Sequence, residues 1–233
     1  MKDKILKGIK ENNIKEGRKF LSDGKTVQNV CHTDTKEYEY VDLGLPSGLK
    51  WAKCNVGAET ETDYGDYFMW GSTEPNNNTT CDWEHVPFNN GSLEYDSAYF
   101  DSVKDTVAPN GVLAKEYDAA TQIMGGDWRM PTKDEFQELL DNTDKLWTTI
   151  NGVNGYKFTS IKEGYQNNSI FIPAAGYCYE GSVKGVGYGG DVWSSSLGTS
   201  YPYRAWNLGF YSGNCGMYGN DRYYGQSVRG VCK

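Results

Sequence analysis

The chain has 233 residues, of which 38% are hydrophobic and 14% are aromatic, a composition that supports one well-buried core and excludes an intrinsically disordered protein. Its formal net charge of −8 argues against a duplex nucleic acid as partner, because phosphate binding depends on clustered Lys and Arg. No apolar run approaches the length that spans a membrane, so we expect no direct membrane insertion.

The first segment, residues 1 to 37, is predicted to be an N-terminal arm or linker, followed by one domain over residues 38 to 233. Residues 1 to 25 carry eight Lys or Arg against four Asp or Glu, a balance of +4 that leaves −12 for the remainder. A short basic segment of this kind is typical of a docking arm. It has no continuous apolar stretch like that of a secretory signal, so we expect no ordinary secretion.

The first half of the predicted domain contains two strands and two helices. Residues 40 to 51 alternate apolar and turn-forming residues, which predicts two short strands joined by a turn at residues 46 to 48. Apolar residues at helical spacing predict a helix over residues 114 to 124. Thr132 and Glu135 form a capping box, which predicts the start of a second helix.

The second half shows no helical pattern after Lys162 and contains three candidate strands, one within residues 169 to 177, where it runs into a turn, and two at residues 192 to 196 and 226 to 231. The last two of these strands bracket a segment of unusual composition. Its 34 residues, from 193 to 226, include six Tyr, six Gly, five Ser and three Asn, but no Lys and no Glu. A random surface loop of a protein rich in Lys and Glu would contain several of each, so this composition indicates a specialised segment.

Candidate metal-binding residues are few and scattered. The two histidines, His32 and His85, are isolated from each other. The cysteines form no CxxC pair and lie far apart, which argues against a zinc site and favours thiols that are mostly free or buried. The six positions are Cys31, Cys54, Cys81, Cys178, Cys215 and Cys232. The sequence therefore predicts no cofactor and no metal.

Taken in order along the chain, six short motifs resemble the C-type lectin fold, in the variant shared by formylglycine-generating enzymes and the variable proteins of diversity-generating retroelements. The motifs lie at residues 41 to 51, 70 to 71, 126 to 132 with Glu135, 172 to 176, 193 to 196 and 227 to 231. The resemblance implies an α+β domain in which two helices pack on short antiparallel strands and the C-terminal half is rich in loops. The Asp127-Trp128-Arg129 cluster is expected to bury Trp128 and to pair Arg129 within the framework.

The closest likeness is to retroelement variable proteins of gut bacteria and their phages, in which error-prone reverse transcription rewrites adenine-containing codons near the 3′ end of the gene. The resemblance places a variable ligand-binding region at about residues 193 to 226. It nominates Gly198, Ser200, Tyr201, Tyr203, Arg204, Gly209, Tyr211, Asn214, Gly216, Tyr218, Gly219, Asn220, Asp221, Tyr223 and Tyr224 as diversified. None of these is Lys, Glu, Gln, Met or Trp, residues that rewritten AAC-like codons do not encode. Fixed framework residues are expected at Trp206, Leu208, Phe210, Met217 and Gln226.

The resemblance implies a non-catalytic display protein that binds a protein or glycan on a cell surface. Tyr, Ser, Gly and Asn are also the residues that dominate antibody binding sites. In residues 205 to 211 apolar residues recur at every second position, as on a strand with one buried face, which leaves the opposite face free to vary. We expect the arm to dock on a phage tail or surface anchor, and the protein to act on a phage virion or bacterial cell surface.

Three alternative functions remain open. One is a lectin-like module of fixed specificity for a carbohydrate or protein. Another is a formylglycine-generating type of oxidase, for which Cys215 and Cys232 are the candidate copper-binding thiols. The last is a calcium-dependent lectin, suggested by Glu74-Pro75-Asn76, although this tripeptide lies too early in the domain and lacks a following Trp-Asn-Asp.

Overall fold

The structure, a computed structural model, describes residues 30 to 32, 37 to 77 and 80 to 233. Over these residues the chain is a mixed α+β protein built mostly of strands, with three short α-helices and no barrel. The predicted arm lies outside the described residues except for residues 30 to 32 and Glu37. None of the helices in the described ranges is long and apolar enough to cross a membrane.

The described part of the chain contains three α-helices, so the prediction of two helices is wrong. The additional helix is α1, Ser97–Val107, which Asp96 caps by accepting a hydrogen bond from the Tyr99 backbone N–H. Only Phe100 and Val107 of this helix are fully buried. They lie seven residues apart, and such a sparse apolar stripe gives little helical signal in the sequence.

The helix predicted over residues 114 to 124 is shorter in the structure. Helix α2 spans Ala119–Met124 and follows a single 3-10 turn at Lys115–Tyr117. The Asp118 carboxylate accepts a hydrogen bond from the backbone N–H of Thr121, at 2.8 Å, and so fixes the helix start five residues later than predicted.

Helix α3, Lys133–Asp141, begins at the predicted capping box. The Thr132 hydroxyl accepts from the Glu135 N–H, and the Glu135 carboxylate accepts from the Thr132 N–H. Arg129 donates two hydrogen bonds of 2.7 and 2.6 Å to the same carboxylate, and Trp128 is 1% exposed. The expected framework role of this cluster is therefore confirmed.

Fourteen strands form four sheets in the described residues. The strands are β1 Val30–His32, β2 Glu37–Asp42, β3 Lys50–Asn55, β4 Tyr67–Phe68, β5 Thr143–Ile150, β6 Val153–Ser160, β7 Ser169–Pro173, β8 Tyr177–Tyr179, β9 Ser182–Lys184, β10 Gly189–Leu197, β11 Arg204–Tyr211, β12 Asn214–Asp221, β13 Gln226–Ser227 and β14 Arg229–Cys232. The strand orders are β1-β2-β3-β14, β12-β11-β10-β13-β4, β5-β6-β7 and β8-β9. Neighbouring strands are antiparallel except β10 and β13, which pair in parallel.

Most predicted strands are confirmed. Strands β2 and β3 flank a turn in which the Gly48 N–H donates to the Leu45 carbonyl at 2.9 Å. Strand β7 is the first part of the predicted segment 169 to 177, and β10 contains the predicted segment 192 to 196. The last predicted strand is divided at Val228 into β13 and β14. Ten of the fourteen described strands follow residue 142, so the C-terminal half is less rich in loops than expected. Several of the glycines that suggested loops lie inside β11 and β12.

Strand β1 belongs to the predicted arm but pairs with the domain. Its three residues form an antiparallel ladder with β2, in which Val30 lies opposite Glu39. At the other edge of this sheet, β14 at the C-terminal end of the described chain pairs with β3. The sheet therefore joins the beginning and the end of the described chain.

Two tryptophans tie β4 and its neighbouring residues to β10. The Trp70 indole donates to the Ser194 carbonyl at 3.0 Å, and the Trp193 indole donates to the Phe68 carbonyl at 2.8 Å. Both rings are completely buried in one hydrophobic cluster. Because each indole N–H is satisfied by the opposite segment, the pair fixes the position of β10, the strand on which β11 and β12 are assembled.

A second cluster lies between α3 and the sheets. Phe136 and Leu139 of α3 are fully buried there, and the Phe136 ring centroid lies 5.3 Å from that of Trp51 on β3. Leu208 and Phe210 of β11 belong to the same cluster. Helix α3 thus covers one face of the β11–β12 hairpin.

Candidate ligand-binding surface

The nominated residues lie on the β11–β12 hairpin and on the segments that flank it. Strands β11 and β12 pair over eight residues each, from Arg204 opposite Asp221 to Tyr211 opposite Asn214, and β12 is the edge of the five-stranded sheet. Nine nominated residues belong to these two strands, four precede them in residues 198 to 203, and Tyr223 and Tyr224 follow them. The structure thus places most of the nominated set on one hairpin.

One face of the hairpin is framework. Leu208 is completely buried and Phe210 is 5% exposed, while Met217 and Cys215, opposite them on β12, pack against the same hydrophobic cluster. Trp206 is partly buried, and the Lys133 ammonium lies 3.7 Å from its ring centroid. The expected buried face of β11 is therefore confirmed.

We give the name outer face to the opposite face of β11 together with the β10 and β12 residues beside it. The β11 part of this face is only partly exposed. Ala205 and Asn207 are completely buried, and only Tyr211 at the far end of the strand is exposed. The expectation that this whole face is free to vary is thus corrected. The reason is that a hydrophobic cluster also covers this side of the sheet: Trp193 on β10 lies opposite Asn207, and Trp193 and Ala205 belong to one cluster.

Two glycines form a depression in the outer face, and a tyrosine fills it. A Cβ atom on Gly209 would lie 2.9 Å from the Tyr218 ring, and one on Gly216 would lie 3.7 Å from it. The Tyr218 hydroxyl accepts a hydrogen bond from the Asn214 amide at the end of the hairpin. The ring therefore lies across Gly209 and Gly216, and any larger residue at Gly209 would displace it.

Tyrosines account for the largest exposed nominated side chains. Four described tyrosines are strongly exposed, and three of them are nominated: Tyr201 at 59%, Tyr211 at 56% and Tyr218 at 44%. The fourth, Tyr188 at 83%, lies outside the predicted variable region. The exposed nominated rings thus lie on the hairpin and on the turn before it.

The remaining nominated tyrosines pack against framework aromatics. Tyr223 and Tyr224 stack with ring centroids 4.8 Å apart, Tyr223 contacts Trp83 at 5.0 Å, and Tyr224 contacts Tyr179 at 5.3 Å. Tyr203, before β11, contacts Tyr95 at 5.8 Å. These three rings are half-buried, so they form the border between the exposed tyrosines and the core.

A buried arginine lies between the hairpin and these aromatics. Arg222 is completely buried, its guanidinium carbon lies 3.8 Å from the Phe100 ring centroid, and burial lowers its pKa to about 10. It donates hydrogen bonds to the carbonyls of Pro202 and Pro87. Arg222 therefore holds the turn before β11 against the rest of the domain, whereas nearby Arg204 is exposed and pairs with Asp221 at 3.0 Å.

Sequence reasoning missed one titratable residue on the outer face, Asp191 of β10. It lies opposite Gly209, and its Oδ1 accepts hydrogen bonds from the side-chain amides of Asn207 at 2.6 Å and Asn220 at 3.3 Å. Burial raises the pKa of this carboxyl to about 6, although the two amide hydrogen bonds act in the opposite direction. The sequence indicates only that Asp191 alternates with the apolar Val192 on a strand. This pattern does not reveal that two side-chain amides lie beside the Asp191 carboxyl.

The raised pKa of Asp191 makes the free energy of unfolding depend on pH. The native carboxyl binds a proton more tightly than the unfolded one, which titrates near pH 4, so its contribution to stability is lost as the pH rises from about 4 to about 6. We expect Asp191→Asn to be more stable than the unchanged protein by about 1–3 kcal/mol at pH 7, with the difference disappearing below about pH 4. Urea unfolding at a series of pH values measures this difference. A difference that is constant over the series would contradict the prediction.

The two candidate copper-binding thiols do not share an environment. Cys215 lies in β12 and packs against the cluster under α3, whereas Cys232 lies in β14, in another sheet, and belongs to the cluster of Trp70 and Trp193. Burial raises the pKa of Cys215 to about 12, although Lys145 lowers it slightly. A thiol of this kind is poorly suited to act as a thiolate ligand or nucleophile at neutral pH.

The early Glu74-Pro75-Asn76 tripeptide supports the backbone around β4. The Asn76 Oδ1 accepts from the Met69 N–H at 3.0 Å, and Asn77 Oδ1 accepts from the Tyr67 N–H at 2.8 Å. The amide oxygen of the tripeptide's Asn76 is therefore engaged with the backbone next to β4. In the described ranges, one group of three possible metal ligands lies close together, Asp82, Glu84 and His85, and the His85 ring is paired with Asp82 at 2.7 Å.

A cleft of about 590 Å³ lies near α2 and the start of α3, with Trp128, Arg129 and Asp118 in its lining. None of the nominated residues lines it. The nominated surface is thus separate from this cleft. The exposed rings and the edge strand of the nominated surface suit a broad partner better than an enclosed small molecule.

Comparison of the chain with protein-family models, with curated proteins and with solved structures found no match.

Proposed function

We propose that this chain is a non-catalytic ligand-binding display protein whose C-terminal surface is diversified by a retroelement. The observation that carries the proposal is the division of the β11–β12 hairpin. The apolar residues Leu208 and Phe210 are buried on one side, whereas the nominated residues Tyr211 and Tyr218 are exposed on the other. A surface that must vary needs this separation, because substitutions at exposed positions cost little stability and substitutions in the core cost several kcal/mol.

We further propose that the domain, from about residue 38, has the C-type lectin-like fold. The proposal is supported by the roles of the motifs that resemble this family. Their tryptophans Trp51, Trp70, Trp128 and Trp193 are each 1% exposed or less. The arginine of the last motif, Arg229, donates four hydrogen bonds that join three strands. The motifs thus form the core on which the hairpin is built.

In this proposal the exposed tyrosines are the main contact residues. Tyrosine offers a large and stiff contact area at low cost in conformational entropy, and neighbouring Ser, Gly and Asn adapt their hydrogen bonds to the ligand. Tyr201, Tyr211 and Tyr218 have this character here, while Arg204 and Asp221 add charge at the hairpin edge. The proposed ligand is a protein or glycan on a cell surface.

The proposed protein acts through recognition and has no catalytic role. The separate environments of Cys215 and Cys232 support this view, since an oxidase of the formylglycine-generating type needs its two thiols together. We propose that many copies are displayed on a phage virion or bacterial surface, with the N-terminal arm docking on a tail or anchor protein. Multiple copies would raise the avidity of a weak single site.

A lectin-like module of fixed specificity is the second candidate. It is favoured by the half-buried positions of Tyr203, Tyr223 and Tyr224, whose contacts with framework aromatics restrict what other residues could replace them. In such a module the same hairpin binds one ligand, and none of its codons is rewritten.

Replacing Tyr201, Tyr211 and Tyr218 together with serine tests the binding role of the exposed surface. We expect the triple variant to keep its melting temperature but to lose most of its binding, measured with labelled protein on intact bacterial cells and on arrays of bacterial proteins and glycans. The control is Tyr188→Ser, which removes an even more exposed ring outside the predicted variable region. Unchanged binding by the triple variant, or equal loss with Tyr188→Ser, would contradict the proposed surface.

A further inference from the structure

The outer face contains a carboxylate with no cationic partner. Asp191 takes part in none of the ion pairs found in the described part of the chain. Its Oδ1 accepts from Asn207 and Asn220, and both of these amides are neutral. Its Oδ2 accepts no hydrogen bond from a described residue and is not among the fully buried polar atoms without a partner, so it remains in contact with solvent. One oxygen of this carboxylate is held in place, and the other has no hydrogen-bond partner among the described residues.

A second acceptor without a partner lies beside it. The Asn207 side chain is completely buried, and its Oδ1 makes no hydrogen bond. The amide nitrogen of the same side chain donates to Asp191, so the carboxamide group that carries this oxygen is already held against the Asp191 carboxylate. A buried amide oxygen without a donor destabilises the fold, and a ligand that donates a hydrogen bond to it would recover part of that loss.

An aromatic ring borders the two acceptors. The position of a Cβ on Gly209 is 2.9 Å from the Tyr218 ring, 3.3 Å from Asp191 Oδ1 and 3.5 Å from Asn207 Nδ2, so the three side chains meet over this glycine. Tyr218 is 44% exposed and a surface side chain of this kind can change rotamer. Its movement away from Gly209 would open the path to Asn207 and leave the ring beside a cation bound at Asp191.

We propose that Asp191, Asn207 and Tyr218 form a site for the protonated amine or guanidinium of a Lys or Arg side chain on a protein ligand. Such a group carries only hydrogen-bond donors and a positive charge, which match the two acceptors, and it is attracted to the face of an aromatic ring. The acidic balance of −12 over residues 26 to 233 attracts the same kind of ligand at longer range. One carboxylate with neutral amides is, by contrast, too small an oxygen set for calcium, which needs six or more ligands.

This inference rests on the proposed function, because it assigns the chemistry of the ligand at the same surface. It adds that Asp191 and Asn207, which are outside the nominated set, supply a constant contact beside positions that vary. A basic side chain would then be a shared feature of the ligands bound by different variants, while the exposed tyrosines distinguish among them.

Titration of the full-length ¹⁵N-labelled protein, followed by NMR, tests the site directly. The probes are Nα-acetyl-lysine N-methylamide and Nα-acetyl-arginine N-methylamide, with the uncharged norleucine analogue as control. We expect the lysine and arginine probes to shift the backbone signals of Gly209 and Asn220 and the side-chain amide signal of Asn207, with saturation in the millimolar range. Equal shifts with the norleucine analogue would overturn the proposal without any variant being needed.

Two variants test whether the lysine probe binds at the Asp191 carboxylate. We expect Asp191→Asn to weaken the lysine probe at least about tenfold. Asp101→Asn, which removes a carboxylate of α1 that is paired with Lys104 and lies outside the nominated set, should leave binding unchanged. Unchanged binding by Asp191→Asn would overturn the proposal. Glucosamine serves as a third probe, and tighter binding of this amino sugar than of both amino-acid probes would overturn the assignment to a protein ligand.

The cation site and the proposed function can fail separately in these experiments. If the lysine probe binds at Asp191 but the three-tyrosine variant still binds its cell-surface ligand, the cation site stands and the proposed binding surface is wrong. If the tyrosine variant loses its ligand but no cationic probe binds, the surface stands and the cation site is wrong.

Discussion

Replacing Arg229 with methionine is expected to lower the free energy of unfolding by about 3–5 kcal/mol. Arg229 is completely buried, and burial lowers its pKa to about 10. Its guanidinium donates to Asn55 Oδ1 at 2.9 Å and to the carbonyls of Ala52, Lys53 and Phe171 at 2.8, 2.6 and 2.9 Å. Methionine has similar length but leaves these acceptors without donors, and each buried acceptor left unsatisfied costs about 1–3 kcal/mol. The loss of the buried charge offsets only part of this cost.

Urea unfolding followed by tryptophan fluorescence measures the change. The matched control is Arg204→Met, which removes an arginine whose side chain is 46% exposed and whose ion pair with Asp221 lies at the surface. That variant should lose less than about 1 kcal/mol, since exposed ion pairs contribute little. Equal and small losses in the two variants would show that the contacts of Arg229 do not hold β3, β7 and β14 together.

Replacing Tyr223 and Tyr224 together with serine is expected to lower the free energy of unfolding by about 3–5 kcal/mol. The two rings stack on each other, and each also packs against a different hydrophobic cluster. Their loss removes contacts with Trp83, Tyr177 and Tyr179, and a polar serine cannot fill the space.

The contrasting pair is Tyr211 and Tyr218, whose combined replacement with serine should cost less than about 1 kcal/mol because both rings are mostly exposed. Circular dichroism during heating measures both double variants under the same conditions. A larger loss of stability for the Tyr211 and Tyr218 pair would mean that those rings belong to the core, and the interpretation of the outer face as a contact surface would fail.

Local features of the fold could be predicted from the sequence. The capping box at Thr132 and Glu135 fixes the start of α3 through neighbouring residues, so its signal is contained in four positions. The buried face of β11 is visible because Trp206, Leu208 and Phe210 alternate along one strand. Helix α1 could not be predicted, because its two buried residues are sparse and its stability comes from packing against elements far away in the chain.

The character of the site depends on contacts between distant residues, and this limits what the sequence can predict. Asn207 is completely buried opposite Trp193 on another strand, although its place on the alternating β11 suggests an exposed position. Tyr223 and Tyr224 have the composition of a variable segment, but their partners Trp83 and Tyr179 lie about 140 and 45 residues earlier in the chain. Asp191 lies just before the segment of unusual composition, and only the pairing of β10 with β11 brings it beside Gly209.

Sequencing codons 189 to 232 of the gene in a population of the source cells or phage, together with any near-copy of that stretch in the nearby DNA, tests the central claim most directly. We predict variation at adenine-containing codons of the exposed nominated residues, including Tyr201, Tyr211 and Tyr218, and no variation at the codons of Trp206, Leu208, Phe210 or Asp191. An invariant segment without a nearby copy would contradict diversification and leave the hairpin as a binding surface of fixed specificity. Variation that falls equally on the buried framework codons would contradict the account of the surface itself.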